Sequence, residues 1–249
     1  MYRIVLFLLS LLPVTALAQT DGDKTAGGGS ADANRFAVVA TDSSAVRHQV
    51  LLETTMGDVV VELYNETPKH RDNFLKLVRE GYYDGNLWHR VIAQFMIQTG
   101  DSTTRHAGPG TAVGDYDPGY TLPAEIVFPK YFHKKGALAA AREGDTTNPE
   151  RRSSGSQFYI VVGQVFTPGG LDRAQDRLNA QTDGKVQLTP EIREYYQLRG
   201  GTPHLDGQYT VFGEVVKGMD VVSDIDFVET DGNDRPLQDV RIVKAVVIK

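Results

Sequence analysis

Apolar positions along this chain fall into short β-branched-rich runs and stretches at helical spacing, and the first such run opens at residue 49. Segments 49–53 and 58–64 are short runs rich in β-branched and other apolar residues, and Thr54-Thr55-Met56-Gly57 separates them. That pattern predicts two strands joined as a hairpin. Thr67-Pro68 follows, and Phe74, Leu77 and Val78 then recur at helical spacing until Gly81. A helix is expected there, with Thr67 as its side-chain N-cap and Pro68 at its first position. Short apolar runs at 88–92, 95–98, 136–141, 158–162, 210–215 and 240–248 are broken by Gly, Pro and Asp. Many short strands separated by turns predict a mainly β domain, a closed barrel or a sandwich. Helical patches are expected at 171–180 and, behind Thr189-Pro190, at 191–198, while Met219, Val222 and Ile225 mark a further turn or two. The last run, 240–248, is so rich in Val and Ile that it is expected to be central in the sheet, paired with the opening hairpin and closing the barrel.

The chain before residue 47 has a different character. Arg3, an apolar run over 4–12 that ends at Pro13, and Ala16-Leu17-Ala18 predict a secretory signal peptide over 1–18, cleaved after Ala18. The run is too short for a stable membrane span, which takes about 18 apolar residues. Residues 19–46 contain Gly27-Gly28-Gly29-Ser30 among Asp, Ala and Thr and read as a flexible linker. Within it, 36–40 could be a short strand or an apolar approach segment. The folded domain is expected to cover 47–249, and the mature protein to be periplasmic or secreted.

Composition narrows the chemistry. Among 249 residues, 26 are Lys or Arg and 32 are Asp or Glu, a net charge of −6 that argues against a nucleic-acid partner. The absence of cysteine removes disulfides, thiolate metal sites and thiol nucleophiles together. The six histidines have no metal-ligand spacing, and Asp115-Tyr116-Asp117-Pro118-Gly119 lacks the remaining positions of a calcium loop, so neither a metal nor any other cofactor is expected. Gly155-Ser156-Gln157 resembles only half of a nucleophile elbow and precedes its strand, which supports hydrolase chemistry poorly.

More informative is Trp88-His89-Arg90-Val91-Ile92, followed by Phe95-Met96-Ile97-Gln98. In a strand, Met96 and Gln98 share a face. On periodicity alone, Phe95 and Met96 would be core and Arg90 a surface cation. The order of residues points elsewhere. Together with Gly155-Ser156-Gln157-Phe158-Tyr159-Ile160 and His204-Leu205-Asp206-Gly207-Gln208-Tyr209-Thr210-Val211-Phe212-Gly213, these segments make the chain resemble the cyclophilin-type peptidyl-prolyl cis-trans isomerases from about residue 50 to its end.

The resemblance implies a closed eight-stranded antiparallel β-barrel with a capping helix at each end and an interior packed with side chains. It implies an enzyme that accelerates rotation about X-Pro bonds, with proline-containing polypeptides as partners, and the expected signal peptide makes exported proteins its expected clients. Arg90 and Gln98 are the implied catalytic residues. Phe95, Met96, Tyr159 and Leu205 are implied to hold the proline ring, with Ala141, Arg142 and Gln157 along the groove and His204 at its rim. Rotation about the C–N bond faces a barrier of about 18–20 kcal/mol and makes or breaks no covalent bond. At its top the prolyl nitrogen regains a lone pair, so a donor held beside it stabilises the twisted state more than either planar one. An Arg fork can face that nitrogen and the prolyl carbonyl together, which a Lys point charge does less well.

Departures from the family pattern shape further expectations. Arg142 stands where Asn is usual and is expected to alter sequence preference. His204 stands where many members have Trp, which implies weak cyclosporin binding, and it is expected to be solvated at the rim. Tyr159 replaces the commoner Phe, and Tyr209 a frequent His. Segment 143–154 is a charged, lengthened turn beside the groove that could select clients. Residues 164–203 are a larger insertion, expected to be an appendage on the barrel serving as a stabilising flap or a partner surface. Two other functions fit parts of the pattern: a non-catalytic module or holding chaperone that binds proline segments, and a hollow barrel carrying a small hydrophobic ligand.

Overall fold

The computed structural model describes residues 46–249. The expected signal peptide, and the linker up to residue 45, lie outside the described residues. The opening hairpin forms from β1 (Gln49–Thr54) and β2 (Gly57–Leu63), with Val50 opposite Val61 and Leu52 opposite Val59. These four, with Leu63, are fully buried on one face of the hairpin, as a period of two requires. Strands β3 (Arg90–Ile92), β4 (Met96–Thr99), β6 (Ala137–Ala140), β8 (Phe158–Val161), β9 (Val211–Lys217) and β10 (Ile242–Val247) complete an antiparallel eight-stranded sheet in the order β10-β1-β2-β9-β6-β8-β4-β3. A separate ribbon pairs β5 (Thr121–Leu122) with β7 (Ser153–Ser154).

The C-terminal strand does pair with β1, but β10 lies at the end of the sheet order and not at its centre. Its free side meets the irregular chain that leads into β3. Gly85 N–H donates to Ile242 O (2.7 Å), Ile242 N–H to Asn86 O (2.9 Å) and Trp88 N–H to Val240 O (2.9 Å), and Leu87 and Arg241 form a single bridge. Leu87 and Trp88 are both buried along this seam, so the strand expected from residue 88 begins only at Arg90. The sheet thus curls and closes through a seam, not a full ladder.

Inside the curl, Trp88, Phe158 and Phe212 pack with Ile97, Leu138, Ile160 and the inward residues of the hairpin. Helix α1 (Pro68–Arg79) adds Phe74, Leu75, Leu77 and Val78, and α4 (Met219–Asp226) adds Val222 and Ile225. This interior is filled, which removes the reading of a hollow carrier. Thr67 does not cap α1 through its side chain: its hydroxyl donates instead to Tyr64 O (3.3 Å). The helix end is served by Glu125, whose Oε1 accepts from Lys69 N–H (3.1 Å) and Oε2 from His70 N–H (3.0 Å).

The insertion contains α2 (Pro168–Thr182) and α3 (Pro190–Leu198), and here the Thr-Pro signal does act as a cap. Thr167 and Thr189 accept from Gly170 N–H and Ile192 N–H. Leu171, Leu178, Val186, Leu188, Ile192 and Tyr196 form a small core of their own, packed against Phe128 and Phe132.

Candidate active site

Period two also builds the outer face. In β4 Ile97 turns inward, so Met96 and Gln98 turn outward; in β8 Phe158 and Ile160 turn inward, and Tyr159 and Val161 outward. Register then brings the outward residues together: Arg90 lies opposite Gln98, Gln98 opposite Tyr159, and Met96 between Ile92 and Val161. Met96, Tyr159 and Leu205 belong to one buried apolar cluster, with Phe95, Ala141 and Tyr209 partly buried at its edge.

Arg90 is held from a distant part of the chain. Its Nε donates to Asp234 Oδ2 at 3.2 Å, and Val91 N–H donates to Asp234 O at 2.8 Å, so Asp234 fixes both the side chain and the strand that carries it. Asp234 adopts a left-handed backbone (φ 64°), a conformation Asp and Asn tolerate better than most residues. Gln98 Nε2 donates to Gln157 Oε1 (2.9 Å), and Gln157 Nε2 in turn donates to Gly114 O (3.0 Å) and Tyr116 O (2.9 Å). A Gln pair anchored on a loop therefore orients the amide beside Arg90.

Phe95 sits on the tight turn between β3 and β4, where Gln94 has φ 59° and its N–H donates to Asp226 Oδ2 (2.8 Å). Its ring stacks on His204, with centroids 5.5 Å apart and planes inclined by 28°. His204 is thus half-buried against an aromatic neighbour. Burial, reinforced by Arg177 and His133, lowers its pKa to about 4, so the imidazole is neutral at physiological pH and serves as an aromatic wall.

Arg142 is held by its neighbours. Its side chain donates to Gln208 O (3.0 Å) and Glu143 O (2.8 Å), pairs with Asp145 (2.6 Å) and lies over the Tyr209 ring, at the edge of the apolar cluster, at 4.3 Å. These contacts tie Arg142 to the charged turn. The neighbouring backbone is fixed too, since Ala141 N–H donates to Gln157 O (3.0 Å) and Ser154 N–H to Ala141 O (2.8 Å).

The Tyr159 hydroxyl lies 3.0 Å from His133 Nε2, inside a buried group that also contains Asp206 and Tyr196. Sequence reasoning missed Asp234, 144 residues from Arg90, and it missed His133, which looked like one of six scattered histidines. No local periodicity marks either. Among the described residues, no group of three or more His, Cys, Asp or Glu is placed to hold a metal ion, and no helix is long and apolar enough to cross a membrane.

A curled antiparallel sheet thus carries, on its outer face, a tethered Arg beside an apolar cluster. Residues 49–247 match the family described as cyclophilin type peptidyl-prolyl cis-trans isomerase/CLD, and the chain belongs to that family of enzymes. It is 33% identical over 206 residues to peptidyl-prolyl cis-trans isomerase-like 1 of Gibberella zeae, covering 80% of this chain and 94% of that one. It is 36% identical over 214 residues to peptidyl-prolyl cis-trans isomerase CYP71 of Arabidopsis thaliana, of which it spans 25%. Its fold is similar to the crystal structure of a cyclophilin type peptidyl-prolyl cis-trans isomerase of Cryptosporidium parvum, at a TM-score of 0.57 and 23% identity, covering 82% of this chain and 99% of that one.

Proposed function

We propose that this chain is an exported prolyl isomerase that acts on polypeptides folding outside the cytoplasm, with Arg90 as the donor to the twisting amide. The observation that carries this reading is the tether on Arg90. Because Asp234 accepts from Nε and its carbonyl accepts from Val91 N–H, the planar fork and the strand that carries it are oriented before substrate arrives. Met96, Tyr159 and Leu205, with Phe95 at the edge, supply the apolar seat that would fix the proline ring while the preceding carbonyl turns. Gln98, oriented through Gln157, sits opposite Arg90 in the register to help place the substrate carbonyl. A positioned donor of this kind is worth about 3–4 kcal/mol in other enzymes, or roughly 100- to 1,000-fold in rate.

Export rests on residues 1–18, and cleavage after Ala18 would leave Gln19 as the first residue of the mature protein. N-terminal sequencing of protein recovered from the cell envelope tests it directly. The isomerase site is tested by following a short X-Pro peptide from cis to trans, without a coupling protease, beside Arg90→Ala. The expected result is a fast wild type and a variant slowed by about 100-fold in kcat/KM. A folded wild type that binds the peptide without turning it over would make the chain a proline-binding module or holding chaperone.

A further inference from the structure

A buried polar group lies beside the apolar cluster of the proposed proline pocket. Tyr159, His133, Asp206 and Tyr196 are all buried, and Asp206, His133 and Tyr196 have no exposed surface at all. Asp206 Oδ1 accepts from His133 N–H (2.7 Å) and lies 3.0 Å from His133 Nδ1; Oδ2 accepts from Tyr196 O–H (2.7 Å). A carboxylate can only accept, so Nδ1 carries a proton. In a neutral imidazole Nε2 is then the acceptor, and the Tyr159 hydroxyl donates to it at 3.0 Å.

Asp, His and Tyr in this order also resemble a nucleophile with its base and orienting acid. Burial keeps Tyr159 well above the usual phenol range, so its hydroxyl stays protonated, and its bond to His133 turns that oxygen toward the network. The chain is a strut. Its far end, Tyr196, belongs to α3 of the insertion, seated between Phe132 and Phe166. Gly201 makes the approach possible: a Cβ there would lie 2.3 Å from His133 O and 2.6 Å from the Tyr196 ring.

We propose that the 164–203 insertion is a positioning element for the proline pocket, in which Tyr196 acts through Asp206 and His133 to fix the ring of Tyr159. This rests on the pocket being the isomerase site, and it gives the appendage a task beyond covering the barrel. Tyr196 touches no substrate and is a positioning residue. Its removal loosens how the ring is gripped and leaves the donor at Arg90 where it is, so the change falls on KM and not on kcat.

The test is a double-mutant cycle on the intact domain. Tyr196→Phe, which removes one hydroxyl from a site remote from the groove, is expected to raise KM for an Ala-Pro peptide by about three- to tenfold with kcat changed by less than about twofold. Tyr159→Phe cuts the same strut at its other end, so adding Tyr196→Phe to it should raise KM no further, although thermal stability falls again. Phe166→Leu, which loosens the seat of Tyr196 without touching the strut, should shift KM in the same direction and covers the case in which Tyr196→Phe does not fold. Loss of stability with KM unchanged, or KM effects that multiply in the double variant, would overturn the proposal. If the wild type binds the peptide without isomerising it, the isomerase reading fails on its own, and the same cycle is then read in Kd.

Discussion

Glu125 holds the start of α1 from 55 residues away, and cutting that contact gives a sharp quantitative test of the fold. Its side chain is 8% exposed and takes three donors: Lys69 N–H, His70 N–H and His70 Nδ1, the last at 2.7 Å. Two of these are orphan donors of the first helical turn, where a negative charge also meets the positive end of the helix. Losing a cap costs about 1 kcal/mol, and bonds to a charged acceptor about 1.5–3 kcal/mol each with strong overlap between them. Glu125→Ala should therefore destabilise by about 3 kcal/mol, and Glu125→Gln, which keeps one acceptor, by about half of that. For a domain of this size the first corresponds to a fall in Tm of about 6–12 °C.

The pH dependence separates charge from shape. Burial alone would raise the Glu125 pKa, but the His70 side chain and the backbone N–H groups of His70 and Lys69 outweigh it, and the net shift is downward from 4.5. The charged form is thus favoured by folding. Its contribution is fully present above the unfolded value near 4.5 and is lost as pH falls through the lower folded value. Urea unfolding of wild type and Glu125→Gln should differ most at pH 6–7 and converge below 4.5. A gap that stays constant from pH 7 to 3, or a Tm loss under about 2 °C for Glu125→Ala, would refute the assignment of this carboxylate as the cap.

Asp234→Asn should lower kcat/KM by about three- to tenfold through a loosened Arg90 while moving Tm by less than about 2 °C, because the ion pair is half-exposed and Asn tolerates the same backbone; stopped-flow rates and a melting curve suffice, and an unchanged kcat/KM would dismiss the tether. His204→Trp should strengthen cyclosporin inhibition by about tenfold or more by widening the aromatic wall on Phe95, as measured by titration calorimetry. His89, at 3% exposure, and His204 both have pKa values lowered to about 4, chiefly by burial. Because the unfolded chain binds those protons near 6.5 and the folded one does not, stability should fall as pH drops from 6.5 toward 4, by up to about 3 kcal/mol from His89 alone; urea midpoints at pH 7 and 5 that coincide would contradict it.

Much of this architecture was legible because it is local. The β-branched-rich runs at 49–53 and 58–64 with Thr-Thr-Met-Gly between them define the hairpin, and the order of Arg90, Met96 and Gln98 places the candidate site on two adjacent strands. What could not be read depends on contacts between distant residues. Thr67-Pro68 is indistinguishable in sequence from Thr167-Pro168 and Thr189-Pro190, yet only the latter two threonines cap their helices, because Glu125 already occupies the end of α1. The edge position of β10 follows from Leu87 and Trp88 turning inward at the seam, which no apolar count over 240–248 reveals. Asp234, His133 and Tyr196 are ordinary surface-type letters until the fold brings them to Arg90, Tyr159 and Asp206.

The filled barrel and the outward site together set what kind of client can be served. A cavity enzyme must swallow its substrate or receive a chain end, whereas Arg90, Phe95 and His204 lie on the outer wall of a solid body. A polypeptide can rest against such a wall at any point along its length, entering from neither terminus. With the site proposed above, access would be governed by whether the client exposes a few residues around a proline, whatever the size of the chain.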